Sequence, residues 1–291
     1  MAVEIPLLGQ QVEYPTCYDP AILTPLSRVP NREQYAITSP ESLFLGYDTW
    51  HAYEAGFLTC RGLPVTGILK IVYPSSSPFL IESKSLKLYL NSYNMTMLGE
   101  STQEGEACFV QKVQNDLTQA LHTPVDVHFF KSGTKTYLSD FDNYTIIEAE
   151  SEVRNSRFTE YRENPGLLTE AVQPGKEITV GSHLLRSNCK VTGQPDWGSV
   201  YIRLKAKQLP TSVSLLKYIV SLRHENHFHE EICEILFKRL WDTFSPEILS
   251  VSCLYTRRGG IDICPSRANR EAYLPPFLHA PSKLTQREFR Q

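Results

Sequence analysis

The chain has 291 residues, 41% hydrophobic and 21% charged, a composition that fits packed globular domains rather than a long disordered tract and a length comfortable for two domains of ~100–150 residues each. A net charge of −3 with no Lys/Arg run argues against a protein that grips a nucleic-acid backbone, so no direct nucleic-acid partner is expected. The N-terminus MAVEIPLLGQQVEYP lacks the basic and apolar regions of a secretory signal, and no stretch of ~18 apolar residues is present to span a bilayer, so a soluble, cytoplasmic protein with no membrane partner is expected.

Residues 1–45, rich in Pro, Tyr and polar residues, read as an irregular N-terminal arm. A first module is expected over 46–143. Within it TWHAYEAGFL and LPVTGILKIVYP read as strands, ESKSLKLYLNSYN as a helix, and PVDVHFF as a closing strand. Between these, EGEACFVQKVQNDLTQAL places Phe109, Val110, Val113, Leu117 and Leu121 on one helical face. Residues 144–176 are charged and carry Pro165 and Pro174; they read as a linker.

A second module over 177–291 repeats the order. EITVGSHLLRS and GSVYIRLKAK read as strands, TSVSLLKYIVSLR as a helix, and ILSVSCLY as the closing strand. HFHEEICEILFKRLWDTF gives a second amphipathic helix through Phe228, Ile232, Ile235, Leu236 and Leu240. Ser83, Ser85, Leu86, Tyr89 and Ser92 match Ser212, Ser214, Leu215, Tyr218 and Ser221 at one fixed offset, which points to duplication. Antiparallel strands with both helices on one face make an α+β layer. Its sheet edges invite further copies, so a homo-oligomer, with a homodimer as its simplest form, is expected.

Four clusters are rich in chemistry-bearing residues. In SNCKVTGQPDWGSVYIRL, Cys189 lies seven residues before Asp196, beside the cation Lys190 and in a turn-forming stretch. A loop cysteine with an aspartate in reach suits a nucleophile and a proton carrier. On spacing alone a turn-organising Asp196 and a buried filler Cys189 is the simpler account. In ESKSLKLYLNSYN, Glu82 and Lys84 stand at a helix start, which favours anions, or are merely a solvated cap. HENHFHEE has three histidines, but His227 and His229 are two apart and no HExxH occurs, so no metal site is expected. A carboxylate and imidazole reading the edge of a heterocycle, with Phe228 stacking, fits it better. YTRRGGIDICPSRAN pairs arginines with glycines, which suits a phosphate site or an ordinary β-turn equally; no GxGxxG supports a Rossmann site. Seven cysteines, an odd number at irregular spacing without CxxC, argue against a disulfide framework or a tetrahedral zinc site.

Together these four segments resemble the 7-cyano-7-deazaguanine reductase family of the queuosine pathway, in its longer two-module form, from about Pro40 to the C-terminus. The resemblance implies tandem tunnelling-fold modules, each an antiparallel four-stranded sheet with two helices on one face. It implies NADPH as cofactor and a deazapurine as small-molecule substrate. Cys189 would attack the nitrile carbon to give a covalent thioimide, and Asp196 would move protons. Ile81, Glu82, Ser83, Phe228, His229 and Glu230 would bind substrate; Ser83, Lys84, Arg258 and Gly259 would bind NADPH. The chain departs from the family pattern at Lys190, where an apolar residue or proline is expected. Three other readings compete: a cysteine-dependent nitrile or amide hydrolase using Glu82, Lys84 and Cys189, a metal-dependent cyclohydrolase-like enzyme, and a non-catalytic purine-binding protein.

Overall fold

The computed structural model describes residues 14–291; residues 1–13 of the expected arm lie outside the described residues. The rest of the arm is built of short elements: β1 (Pro25–Ser27), α1 (Val29–Gln34) and α2 (Pro40–Leu43). The first module then runs β2 (Leu45–Leu58), β3 (Pro64–Pro74), β4 (Phe79–Ile81), α3 (Ser83–Asn91), α4 (Thr102–Leu121) and β5 (Asp126–Phe130). The segment read as a linker contains β6 (Thr145–Ile146), α5 (Ser151–Arg154) and β7 (Val172–Pro174). The second module runs β8 (Ile178–Asn188), β9 (Pro195–Lys205), β10 (Gln208–Pro210), α6 (Ser212–Ser221), α7 (His229–Phe244), β11 (Ile248–Tyr255) and β12 (Ile261–Ala268), and α8 (Pro276–His279) follows.

The two modules correspond element by element, β2-β3-β4-α3-α4-β5 against β8-β9-β10-α6-α7-β11. Even the minor features recur. β1 pairs with β4 just before α3, and β7 pairs with β10 just before α6. The first strand of each module carries a bulge, between Ala52 and Ala55 and between Ser182 and Leu185. The duplication seen in five matched side chains therefore extends through the backbone.

One eight-stranded sheet results, in the order β5-β3-β2-β12-β11-β9-β8-β6. It is an antiparallel α+β sheet except at its edge, where β6 joins β8 in parallel. The four-strand sets are not divided by module. The second module supplies β8, β9, β11 and β12, the first only β2, β3 and β5, and β12 pairs with β11 on one side and β2 on the other. That pairing makes two modules one sheet.

Helix ends follow local chemistry. Ser101 and Glu104 form a capping box at the start of α4, and His122 ends it in the left-handed region. Phe109, Val113, Leu117 and Leu121 face the first core, while Ile232, Ile235, Leu236 and Leu240 face the second. The segment 144–176 is not an open linker. Ile147, Val153, Leu167 and Leu168 are buried in the second core, because their apolar side chains cover α6 and β8. The sheet face opposite the helices is also covered: Phe141 stacks on Tyr201 at 4.2 Å, and Leu278 joins them.

Buried ion pairs lock the junction. Asp48 of β2 meets Arg28 of the arm at 2.5 Å and Arg267 of β12 at 2.8 Å. Glu234 of α7 meets Arg267 at 2.9 Å and Arg32 of α1 at 2.8 Å. Each charge has a counter-charge, which is the condition for burying any of them.

Candidate active site

A cleft of about 200 Å³ opens where the two modules meet. Trp50 of β2, Ile81 before α3, Ser83, Lys84 and Lys87 of α3 enter from the first module. Cys189, Asp196, His227, Phe228, His229, Glu230, Arg258 and Gly259 enter from the second. Every residue named from the sequence for this site therefore lines it, except Glu82.

Glu82 is turned to another task. Its carboxylate caps α3, accepting from the backbone N–H groups of Ser85 (2.7 Å) and Lys84 (2.9 Å). It is buried, which raises its pKa against the lowering by those two bonds. The cap fixes the turn that presents Ile81, Ser83 and Lys84 to the cleft.

Cys189 follows the end of β8 and is buried. Its N–H donates to Gln194 O (2.8 Å), and its carbonyl accepts from Gly193 N–H (2.9 Å), closing a tight loop. Gly193 sits at φ +66°, a conformation that glycine adopts without strain. The loop folds β8 back on β9, so Ser187 pairs with Asp196 and the cysteine and aspartate share one end of a hairpin.

Asp196 is 3% exposed. Burial pushes its pKa up, but the hydrogen bond and charge of His229 and the guanidinium of Arg258 outweigh burial and hold it below the usual carboxylate range. Arg258 bonds Asp196 through one nitrogen and Gln194 Oε1 (2.5 Å) through another. His229 Nε2 lies 3.4 Å from Asp196, and its ring stacks on buried Tyr255 at 3.9 Å. The expected β-turn at Arg258 is a hairpin turn in which Gly259 and Gly260 both have positive φ (57° and 78°). That turn, joining β11 to β12, aims Arg258 back into the site.

Glu230 is the counterpart on the cleft floor. It is 2% exposed, and its Oε1 has no hydrogen-bond partner. Burial and the charge of Asp48 push its pKa up to about 8, against the pull of Arg28. Trp50 Nε1 is likewise buried without a partner. An unsatisfied acceptor and an unsatisfied donor in one cleft are the complement of a ligand carrying both, such as a heterocycle edge.

The histidines of HENHFHEE part company. His227 bonds Tyr35 (3.0 Å) and approaches Glu231 (3.3 Å), whereas His229 faces Asp196. Lys190, the departure from the family pattern, pairs with Glu231 at 2.8 Å and lies 5.4 Å from the Phe228 ring centre. It braces the wall that Phe228 forms.

Sequence reasoning missed Trp50, Lys87 and His227. Lys87 was within reach, since it stands one helical turn beyond Ser83 and Lys84 on the same face. His227 was considered only as a metal ligand. Trp50 needed the register that sets it opposite Ile263 on β12, a pairing no local pattern shows.

Residues 14–129 match the family described as nitrile reductase, 7-cyano-7-deazaguanine-reductase N-term, and residues 195–273 match the QueF-like protein family. An NADPH-dependent 7-cyano-7-deazaguanine reductase of Acinetobacter baumannii (strain ACICU) is 42% identical over 279 residues, covering 94% of this chain and 97% of the relative. The protein of that name from Hydrogenovibrio crunogenus is 41% identical over 267 residues, covering 91% and 92%. A solved structure, the archaeosine synthase QueF-Like in the apo form, aligns with TM-score 0.30 and 14% identity over 33% of this chain and 95% of that one. With similarity running through both modules and through the segments that line the cleft, the chain belongs to the NADPH-dependent 7-cyano-7-deazaguanine reductase family of oxidoreductases.

Proposed function

We propose that the protein reduces the nitrile of 7-cyano-7-deazaguanine to an aminomethyl group through a thioimide on Cys189, as a step of queuosine biosynthesis. The observation that carries this reading is the shared cleft of Cys189, Asp196 and Glu230, whose buried Oε1 lacks a partner.

Asp196, held ionised by Arg258 and His229, is a base at this site. It takes the thiol proton of Cys189 as the sulfur adds to the nitrile carbon. It then returns that proton to the nitrogen, so the S–H and one C–N π bond are exchanged for C–S and N–H bonds. When bound, two NADPH molecules in turn would each supply one hydride to the former nitrile carbon, with two protons from solvent completing the amine and the thiol of Cys189 restored as the C–S bond breaks. Phe228 stacks on the ring, Ile81 walls it, and Ser83 and His229 contact its polar edge. Glu230 accepts from the guanine-like N–H groups, and Glu82 can accept through the lone pairs its cap leaves unused. A buried acceptor left unpaired makes rejection of other bases steep.

The cleft fits the cofactor at its more exposed rim. Lys84, Arg258 and Gly259 gather there with Ser83, cations for phosphate beside a glycine turn that lets backbone approach closely. The hydrolase reading loses support, because the relatives that match this chain through both modules are NADPH-dependent reductases. Two functional modules and a homodimer, whose sheet extends at the open edge of β5, belong to the same proposal; sedimentation of the full chain tests the dimer.

The test is NADPH oxidation with and without 7-cyano-7-deazaguanine, in wild type and Cys189→Ala. Oxidation that requires the nitrile, consumes two NADPH per amine and vanishes in the variant supports the proposal. Binding of the nitrile without NADPH consumption overturns it.

A further inference from the structure

The sequence has no basic run, yet the fold assembles a basic surface from distant arginines. Side chains alternate along β9, so the neighbour of cleft-facing Asp196, Trp197, turns to the other face of the sheet. Trp197 is 37% exposed. The guanidinium carbons of Arg223, Arg290 and Arg186 lie 5.2, 5.5 and 5.6 Å from the ring centre. Arg186 comes from β8, Arg223 from the turn after α6, and Arg290 from the C-terminal segment.

Two of the three are aimed by backbone. Arg186 Nη1 donates to Arg223 O (2.8 Å), and Arg290 donates to His183 O through Nε (3.2 Å) and Nη2 (3.1 Å). Among the described residues none of the three pairs with a carboxylate, although Arg203, Arg258 and Arg287, likewise half-buried, each have one. Burial and the neighbouring Arg186 hold the Arg223 guanidinium below its ordinary pKa. Phe289, 74% exposed, extends the surface 5.3 Å from Arg290 and 5.1 Å from the His183 ring.

We propose that this patch binds a phosphate-bearing nucleotide, with the base against Trp197 and the phosphate on Arg186 and Arg223. Guanidinium forks match phosphate oxygens, and exposed rings beside them give a base a stacking face. An acidic peptide would satisfy the cations and leave both rings in water. The site stands behind β9, on the opposite side of the sheet from the cleft. Its nucleotide is either the adenosine end of the dinucleotide or a separate mononucleotide; the chemistry of recognition is the same.

The experiment titrates the full chain with adenosine 2′,5′-bisphosphate, followed by calorimetry and by indole fluorescence, and needs no turnover, so it stands whether or not the reductase proposal does. Saturable binding is expected, weakened about tenfold by each of Arg186→Gln and Arg223→Gln. Trp197→Leu should weaken it and abolish the fluorescence change, and adenosine without phosphate should bind far less. Arg290→Gln serves as a further variant should Arg223→Gln unfold. If the same variants raise KM for NADPH with kcat unchanged, the patch holds the dinucleotide's adenosine end; if KM is unchanged while bisphosphate affinity falls, the ligand is a separate nucleotide. Absence of saturable binding, or unchanged affinity in a folded Arg186→Gln/Arg223→Gln double variant, overturns the proposal.

Discussion

The carboxylate of Asp196 lies 3.4 Å from Nε2 of His229, joining the β8–β9 hairpin to the first turn of α7. With Arg258 on its other side, the aspartate is more acidic than an ordinary carboxyl despite its burial. A base of that kind stays ionised well into acid, so the acid limb of kcat/KM for nitrile reduction should fall below the usual carboxylate range. Asp196→Asn should lower kcat by roughly 10²–10⁴-fold while leaving nitrile binding measurable. An unchanged kcat in a folded variant would remove Asp196 from the proton path.

Glu230 should make the stability of the protein pH-sensitive. Its folded pKa, about 8, lies above the 4.5 of an unperturbed glutamate. The folded state thus favours the protonated form, and ionisation costs stability. Its contribution is fully present below about pH 4.5 and is lost as pH rises through about 8. Urea unfolding across pH 5 to 8.5 should show wild type losing on the order of a few kcal/mol relative to Glu230→Gln. Parallel pH profiles for the two proteins would place the ionisation elsewhere.

Local pattern and long-range pairing divide what the sequence disclosed. Helix α4 was readable because Phe109, Val113, Leu117 and Leu121 repeat at helical spacing. The cleft was readable because its residues cluster in short motifs at element ends: Cys189 after β8, Phe228 and His229 at the start of α7, Arg258 in the β11–β12 turn. Strand β12 was not readable as the link between modules, since pairing with β2 is set by residues more than two hundred positions apart. The capping role of Glu82 was left open for a different reason. A glutamate at a helix start can serve as cap, as ligand or as both, and only the two backbone bonds show that the cap is made.

The same junction predicts where the fold is most easily broken. Glu234 is buried between Arg32 and Arg267 and is more acidic than usual, because Arg267 and Arg32 outweigh its burial. Glu234→Gln leaves two buried guanidinium groups short of counter-charge. A loss of about 3–5 kcal/mol in urea unfolding is expected, with both modules melting together. A surface pair sets the contrast: Lys217→Ala, which breaks the part-exposed contact with Glu170, should cost no more than ~1 kcal/mol. Equal losses in the two variants would deny the junction its special weight.

The Gly259–Gly260 turn offers a test in which space and conformation separate. At Gly260 an added Cβ would stand 2.6 Å from Glu54 Cδ, and the backbone is at φ +78°. At Gly259 the φ is +57°, and the nearest atom, Lys87 Cδ at 3.1 Å, belongs to a flexible side chain. Both alanine variants bear the cost of left-handed backbone, roughly 1–2 kcal/mol. Gly260→Ala should be the more damaging, because Glu54 must also move away from its pairing with Lys87. Removing the obstacle, in Gly260→Ala/Glu54→Ala, should recover the difference between the two but not the shared conformational cost. Because the turn aims Arg258 at Asp196, kcat/KM should fall along the same series. If Gly259→Ala proves the worse of the two, the turn is limited by the room around Lys87 rather than by Glu54.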